Sequence, residues 1–279
     1  MKITLRGVRG SIATPGPDTE IYGGNTSCVD ISADGWVLVL DGGTGMRNSD
    51  SLSRTTNKRI DILLTHLHLD HIQGLGFFKP FFNPDLEIHI WGPTSNVQTL
   101  YARLSRYLSP PLFPVLIRDL PCKLILHEIE NSEFEIGPFK IKSSFIIHPG
   151  PTVGYRITHN NAVFTYMPDH EPALGKNGLR NDDKWISGFD LAYKADVLLH
   201  DAQYSTEEYQ TKVGWGHSCM NDTLKFASYT QVKKLLLTHH DPSHSDKQLD
   251  ELLGSLRNNS EYSFEYELAT EGKEFELGN

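Results

Sequence analysis

The chain has 279 residues, 38% of them hydrophobic, enough for a sizeable core in one large domain or two small ones. Its 26 Lys and Arg against 35 Asp and Glu leave a net charge of −9, and no run of Lys or Arg supplies the basic face of a non-specific nucleic-acid binder. Three widely spaced cysteines (Cys28, Cys122, Cys219) form no C-x-x-C pair, which argues against a disulfide framework or a thiolate zinc site.

The opening residues, MKITLRGVRG, alternate apolar and polar and lack the apolar segment of a secretion signal. No run of ~18 apolar residues marks a membrane span, so a soluble cytoplasmic protein is expected. KITLRGV, SCVDIS and WVLVLD (36–41) read as strands, and DGGTG (41–45) as a tight turn. RNSDSLSRTTNK (47–58) has weak periodicity and reads as a loop or short surface helix. IDILLT (60–65) and LEIHIW (86–91) are strands, and Val97, Leu100, Tyr101 and Leu104 predict an amphipathic helix over 95–107.

The middle is strand-rich: KLILHEI (123–129), FKIKSSFII (139–147), TVGYRIT (152–158) and AVFTYM (162–167). The last third repeats the plan of the first, with strands ADVLLHD (195–201) and VKKLLLTH (232–239) around a helix at 218–229. Ser245 and Gln248 form a capping-box pattern ahead of Leu249, Leu252, Leu253 and Leu256 on one helical face. Two strand–helix halves suggest two packed sheets with helices outside. Without a linker or a repeat, residues 1–279 read as a single domain.

The densest chemistry lies in LLTHLHLDHIQG (63–74), where His66, His68, Asp70 and His71 fall within six residues behind an apolar run. Imidazole and carboxylate suit zinc and similar divalent ions. His66 and His68 can point the same way from a strand end, while Asp70 and His71 sit at the start of the next helix. A solvated histidine-rich turn is the bland alternative. Against it, three more apolar runs end in ligand-type residues: His148 in SFIIHPG, Asp169 in YMPDH and His239 in LLLTHHD. His127 and His159, inside alternating strands, read as ordinary histidines. His240 and His244 either line the site or are structural. Asp41 is placed to fix a ligand histidine or to close an Asx turn.

The pattern T-H-x-H-x-D-H, followed by His148, Asp169 and His239, resembles the metallo-β-lactamase-fold hydrolases over nearly the whole chain. That resemblance implies an α/β (α+β) αββα sandwich of two mixed sheets flanked by helices, with two metal ions at one edge. Carried over by motif, His66, His68 and His148 would hold one ion, Asp70, His71 and His239 the other, with Asp169 between them. Zinc is the first choice, and the all-His/Asp set also suits manganese or iron. LLHDAQY (198–204) resembles the H-E-A-T segment of the transfer-RNA 3′-end endonucleases, with Asp201 in the glutamate position. VGWGHSC (213–219) resembles their G-H-S-T loop, with Cys219 in the threonine position. The resemblance therefore implies that Asp201 holds His217 in a charged, proton-donating form suited to expelling an alkoxide. The alternative is that His217 caps the helix after it.

His148 and Asp169 are 169 − 148 = 21 positions apart, which leaves no room for the long basic arm of the bacterial transfer-RNA processors. What remains resembles the small cyclic-nucleotide phosphodiesterases of the same branch. The expectation is a dinuclear hydrolase of a small phosphodiester, a cyclic mononucleotide, with Asp70, Asp201 and His217 catalytic and no stable nucleic-acid complex. Other readings are an ester or lactone hydrolase, an RNA 3′-end nuclease, or a non-catalytic nucleotide sensor. FFKPFF (77–82) reads as core packing, with a lid or homodimer face as the alternative, and Trp215 and Tyr204 as candidates for stacking on a base.

Overall fold

The structure, a computed structural model, describes residues 1–172, 186–259 and 262–278. Strands, numbered in chain order, form two seven-stranded sheets. The first runs β14 (Glu274–Glu276), β1 (Lys2–Gly7), β2 (Cys28–Ala33), β3 (Trp36–Leu40), β4 (Arg59–Leu63), β5 (Glu87–Pro93), β6 (Lys123–Ile129). The second runs β13 (Glu265–Leu268), β12 (Lys234–Thr238), β11 (Val197–Asp201), β10 (Ala162–Met167), β9 (Val153–His159), β8 (Phe139–Phe145), β7 (Ser132–Ile136). Both sheets are mixed: β3 to β6 and β10 to β13 are parallel, and the remaining pairs are antiparallel.

The helices are α1 (Ser51–Arg54), α2 (Leu69–Ile72), α3 (Leu100–Tyr107), α4 (Phe189–Ala192), α5 (Thr206–Tyr209), α6 (Met220–Tyr229) and α7 (Asp246–Asn259). Strand periodicity of two sorts the apolar side chains into three layers. Leu38, Leu40 and Leu63 face inward and meet Phe164, Tyr166, Leu199 and Leu236 between the sheets. Val37, Val39, Ile60, Ile62, Ile88 and Ile90 face outward and pack with Leu100 and Leu104 of α3. On the opposite outer face, Leu198, Leu235 and Leu237 pack with Leu224 and Phe226 of α6 and with Leu249, Leu253 and Leu256 of α7. The arrangement is the expected αββα sandwich, and the central strands read as continuous apolar runs because both their faces are covered. Among the described residues no helix is long and apolar enough to cross a membrane.

Several elements differ from their sequence patterns. α3 begins at Leu100 rather than 95, because the Thr99 side chain accepts from Ala102 N and fixes the start there. Val97, on the predicted apolar face, is 86% exposed, and Leu100 and Leu104 alone of that set are buried. α6 starts at Met220 rather than 218, because Ser218 is drawn into contacts with Asp201 and the His170 carbonyl. The weak stretch 47–58 contains the four-residue α1. β7, β13 and β14 have no counterpart in the sequence reading; they are short, charged outer strands. Ser245 and Gln248 make the expected reciprocal bonds at α7. In FFKPFF, Phe78 and Phe81 are core residues while Phe77 and Phe82 are exposed.

Leu236, wholly buried between the sheets, should cost about 2–5 kcal/mol of unfolding free energy when cut to Ala. Val97→Ala should stay within about 0.5 kcal/mol of wild type. Urea denaturation of both variants checks this; equal losses would contradict the layer assignment.

Candidate metal centre

The carboxyl ends of β4, β8, β10, β11 and β12 lie at one edge of the sandwich, and the chain at or just past each end supplies polar residues of the site. β4 stops at Leu63, and His68, itself extended, occupies the N-cap position of α2. The His66 and His68 rings meet with centroids 4.4 Å apart. Asp70 and His71 follow inside α2.

The side chains gather into two groups. His66, His68 and His148 converge in one; Asp70, His71, Asp169 and His239 converge in the other. Asp169 stands between them. Its Oδ2 lies 3.8 Å from His66 Nε2 and 3.7 Å from His148 Nε2, while its Oδ1 lies 2.9 Å from His71 Nε2 and 3.3 Å from His239 Nδ1. All seven residues singled out from the motif are thus brought together.

Burial drives His66 well below the usual imidazole range and His148 to about 4, leaving both as neutral donors of a lone pair. His71 behaves oppositely. Burial would lower it too, but the charges of Asp169, Asp70 and Asp41 hold it well above its ordinary value. Asp70 falls to about 2, since the neighbouring His71 outweighs a burial effect of opposite sign. A proton trapped among carboxylates marks a place for a cation. His66 Nε2 and both ring nitrogens of His239 are buried without a hydrogen-bond partner. An unpartnered buried polar atom costs roughly 1–3 kcal/mol, and divalent ions held by imidazole and carboxylate would satisfy one ring nitrogen of each of these histidines.

The ligand-type side chains are themselves held. Asp41 Oδ2 lies 2.8 Å from His71 Nδ1, and Asp41 accepts from Thr65 N, Thr65 Oγ1 and Tyr166 OH. His148 Nδ1 donates to Gly216 O at 2.8 Å, and Ser11 N donates to Asp70 Oδ2. Of these partners the sequence pointed only to Asp41; Tyr166 reads as one more apolar strand residue, and a backbone donor such as Ser11 N leaves no signal.

Asp201 and His217 meet beside the two groups. His217 Nδ1 lies 2.7 Å from Asp201 Oδ2. Asp201 is fully buried and accepts three backbone N–H bonds besides, from His170, Gln203 and Ser218. Burial would lower His217, but the charge and hydrogen bond of Asp201, with Asp169 and Asp70 behind, raise it to about 9. Its ring stacks on His239 with centroids 4.8 Å apart and an interplanar angle of 18°, and lies 5.0 Å from that of His148. The alternative of a helix cap does not hold: Cys219 is the N-cap residue of α6, with no side-chain cap bond. His217 also groups with His148 and Asp169 as a conceivable ligand, but its Nδ1 is engaged by Asp201.

Other histidines lie elsewhere. His127 pairs with His89 beneath Trp91, and His159 with Asp34. His240 bonds Ala269 O and His244 bonds Glu208, so both are structural. Tyr204 is buried and unable to stack on a base, whereas Trp215 is 56% exposed.

The Beta-lactamase superfamily domain matches residues 36–240, and the chain belongs to that superfamily. It is a metal-dependent hydrolase of the metallo-β-lactamase fold. Within that fold it resembles the tRNase Z-like proteins. Ribonuclease Z of Bacillus thuringiensis is 25% identical over 260 residues, covering 78% of this chain and 81% of that protein. Ribonuclease Z of Thermosynechococcus vestitus is 28% identical over 220 residues, 64% of this chain; the match spans about half, 52%, of that relative's length. The crystal structure of human tRNase Z, short form, shares the fold with a TM-score of 0.68 and 20% identity, covering 100% of both chains. A diphosphatase from the PhnP family does so with a TM-score of 0.68 and 18% identity, covering 99% of this chain and 98% of that one.

Asp41→Asn keeps the shape of the turn but removes the charge behind His71. It should weaken zinc affinity by about 10–100-fold, read by competition with a chromogenic chelator. Wild-type affinity would show that Asp41 serves the turn alone.

Proposed function

We propose that this chain is a dinuclear phosphodiesterase acting on a small phosphodiester, specifically a cyclic mononucleotide. In this reading His66, His68 and His148 hold one divalent ion, Asp70, His71 and His239 the other, and Asp169 serves both, with zinc the first candidate. The observation that carries the reaction type is the Asp201–His217 pair, 2.7 Å apart, with the His217 ring against His148 of one ligand group and His239 of the other. When bound, two such ions activate water and neutralise phosphate oxygens.

The chain's own residues do the rest. Asp70 and Asp169 orient the attacking water. Asp201, already saturated with backbone donors, keeps His217 charged and its ring fixed through Nδ1, leaving Nε2 to protonate the departing ribose oxygen. The His217 side chain is 12% exposed while that of Asp201 is fully buried, so the acid faces the solvent side of the pair.

Two features favour a small substrate. The stretch between His148 and Asp169 is taken up by the β9–β10 hairpin, and the net charge is −9. The names of the Bacillus and Thermosynechococcus relatives favour a second reading, an RNA 3′-end nuclease. A panel of 2′,3′- and 3′,5′-cyclic nucleotides set against precursor transfer RNA, on metal-reconstituted protein, separates the two. Cleavage of structured RNA at physiological salt with cyclic nucleotides untouched would overturn the small-substrate reading.

His217→Ala should keep about two zinc ions per chain by elemental analysis yet lose about 10²–10⁴-fold in turnover of a cyclic nucleotide. The loss should shrink for bis-p-nitrophenyl phosphate, whose leaving group departs without a proton. An acid with its pKa raised to about 9 is protonated below that value. Bound cations cancel the part of Asp169 and Asp70, so turnover of the cyclic nucleotide should fall on the alkaline side at a pH below that value, with no such limb for the p-nitrophenyl diester. Loss of a metal ion in His217→Ala would instead make His217 a ligand.

A further inference from the structure

Glu171 lies two residues past Asp169, is 1% exposed, and takes part in no ion pair among the described residues. Its charge is met entirely by neutral donors. Oε1 accepts from Tyr209 OH at 2.7 Å and from Gly214 N at 2.8 Å, and Oε2 accepts from Gly216 N at 2.7 Å. A buried carboxylate without a cation is costly. Gln in its place would offer one oxygen and turn an NH₂ group toward the other glycine N–H, so the two-sided grip needs the acid.

The grip encloses the loop that precedes His217. Gly214 and Gly216 have φ of +86° and +89°, the left-handed region open to glycine, and they present Trp215 between them. A Cβ on Gly216 would stand 2.5 Å from His148 Nδ1 and 2.1 Å from Pro149 Cδ, so the loop backbone is pressed against the ligand-type histidine. Gly216 O is the acceptor for His148 Nδ1, and Glu171 N donates to Ile147 O, one residue before His148. The chain thus closes a circuit from Ile147 and His148 through Gly216 to Glu171 and back.

We infer that Glu171 is a positioning residue: by clamping the Gly214–Gly216 peptide it aims two rings at once. One is His148, whose Nδ1–H is committed to Gly216 O, so that the Nε2 lone pair is the one turned into the ligand group, where it meets His68 Nδ1 at 3.1 Å. The other is His217, the next residue along the loop; this half rests on the phosphodiesterase reading, while the His148 half does not.

Three readouts on Glu171→Gln test it: zinc affinity by chelator competition, hydrogen exchange of the Gly214 and Gly216 amides, and the turnover ratio of a cyclic nucleotide to bis-p-nitrophenyl phosphate. Zinc affinity should fall by about 10-fold or more, and the two amides should exchange faster. Turnover of the cyclic nucleotide should fall more than that of the p-nitrophenyl diester, with kcat affected more than KM, because a misaimed acid matters only where a proton is needed. Gly214→Ala carries the same readouts if Glu171→Gln does not fold. A Cβ there meets nothing within 4 Å, so it strains the left-handed backbone without a clash. Wild-type zinc affinity with equal losses on both substrates would overturn the inference. An inactive wild-type protein whose variants still lose zinc affinity and loop protection would sink the phosphodiesterase reading and leave the clamp on His148 standing.

Discussion

Asp169 is the point on which both halves of the site close. Nitrogens of His66, His71, His148, His217 and His239 lie between 2.9 and 3.9 Å from its oxygens, and they come from four separate stretches of chain. Its carboxyl is held well below the usual range: burial opposes ionisation, but His239, His71 and His66 outweigh it. Hydrophobic packing between two sheets is non-directional and cannot by itself bring these groups into register. Directional bonds across the sandwich do so. Tyr166 OH reaches from β10 to Asp41 beyond β3, Tyr155 OH reaches from β9 to Leu64 O, and Val153 N donates to Thr65 O. Each crosses near the end of β4, where the histidine cluster begins.

Aiming side chains from strand ends also strains the backbone. Asp41 and His239, which follow β3 and β12, both adopt φ near +60°, at 55° and 62°. A non-glycine residue there costs roughly 1–2 kcal/mol. Neighbouring bonds over-determine the conformation: Thr65 N donates to Asp41 Oδ1, and Gly10 N donates to His240 O. Gly10 has no substitute, since a Cβ would lie 2.5 Å from the His239 ring.

These details mark the boundary of what the sequence discloses. The ligand-type residues stand out because they cluster behind apolar runs; those after β4, β10 and β12 come off the carboxyl ends of strands with a parallel neighbour, while His148 follows the antiparallel β8. The layers are not legible along β3 and β12, whose apolar runs are continuous because both faces are covered. What stays hidden is created by proximity between distant segments. Glu171 looks like one more acid after Asp169 until Gly214 and Gly216, more than forty positions on, fold over it. His170 and His200 form a buried pair at 2.9 Å behind Asp201 that neither local pattern announces. Val97 shows the converse failure: the spacing was helical, but the Thr99 cap set the start of α3 beyond it.

The same residue type takes two characters here because of what surrounds it. Asp169 shares its charge among five imidazoles, whereas Asp201 faces one imidazole at 2.7 Å and three backbone N–H groups. Cations seated among the ligand-type residues would neutralise Asp169 and Asp70 and so remove their part in keeping His217 protonated. They would leave the larger part, from Asp201, which belongs to neither ligand group. The separation of the two carboxylates therefore allows one edge of the sandwich to bind cations and still keep a proton donor beside them. Were His217 paired with Asp169 alone, binding the metal would discharge the acid.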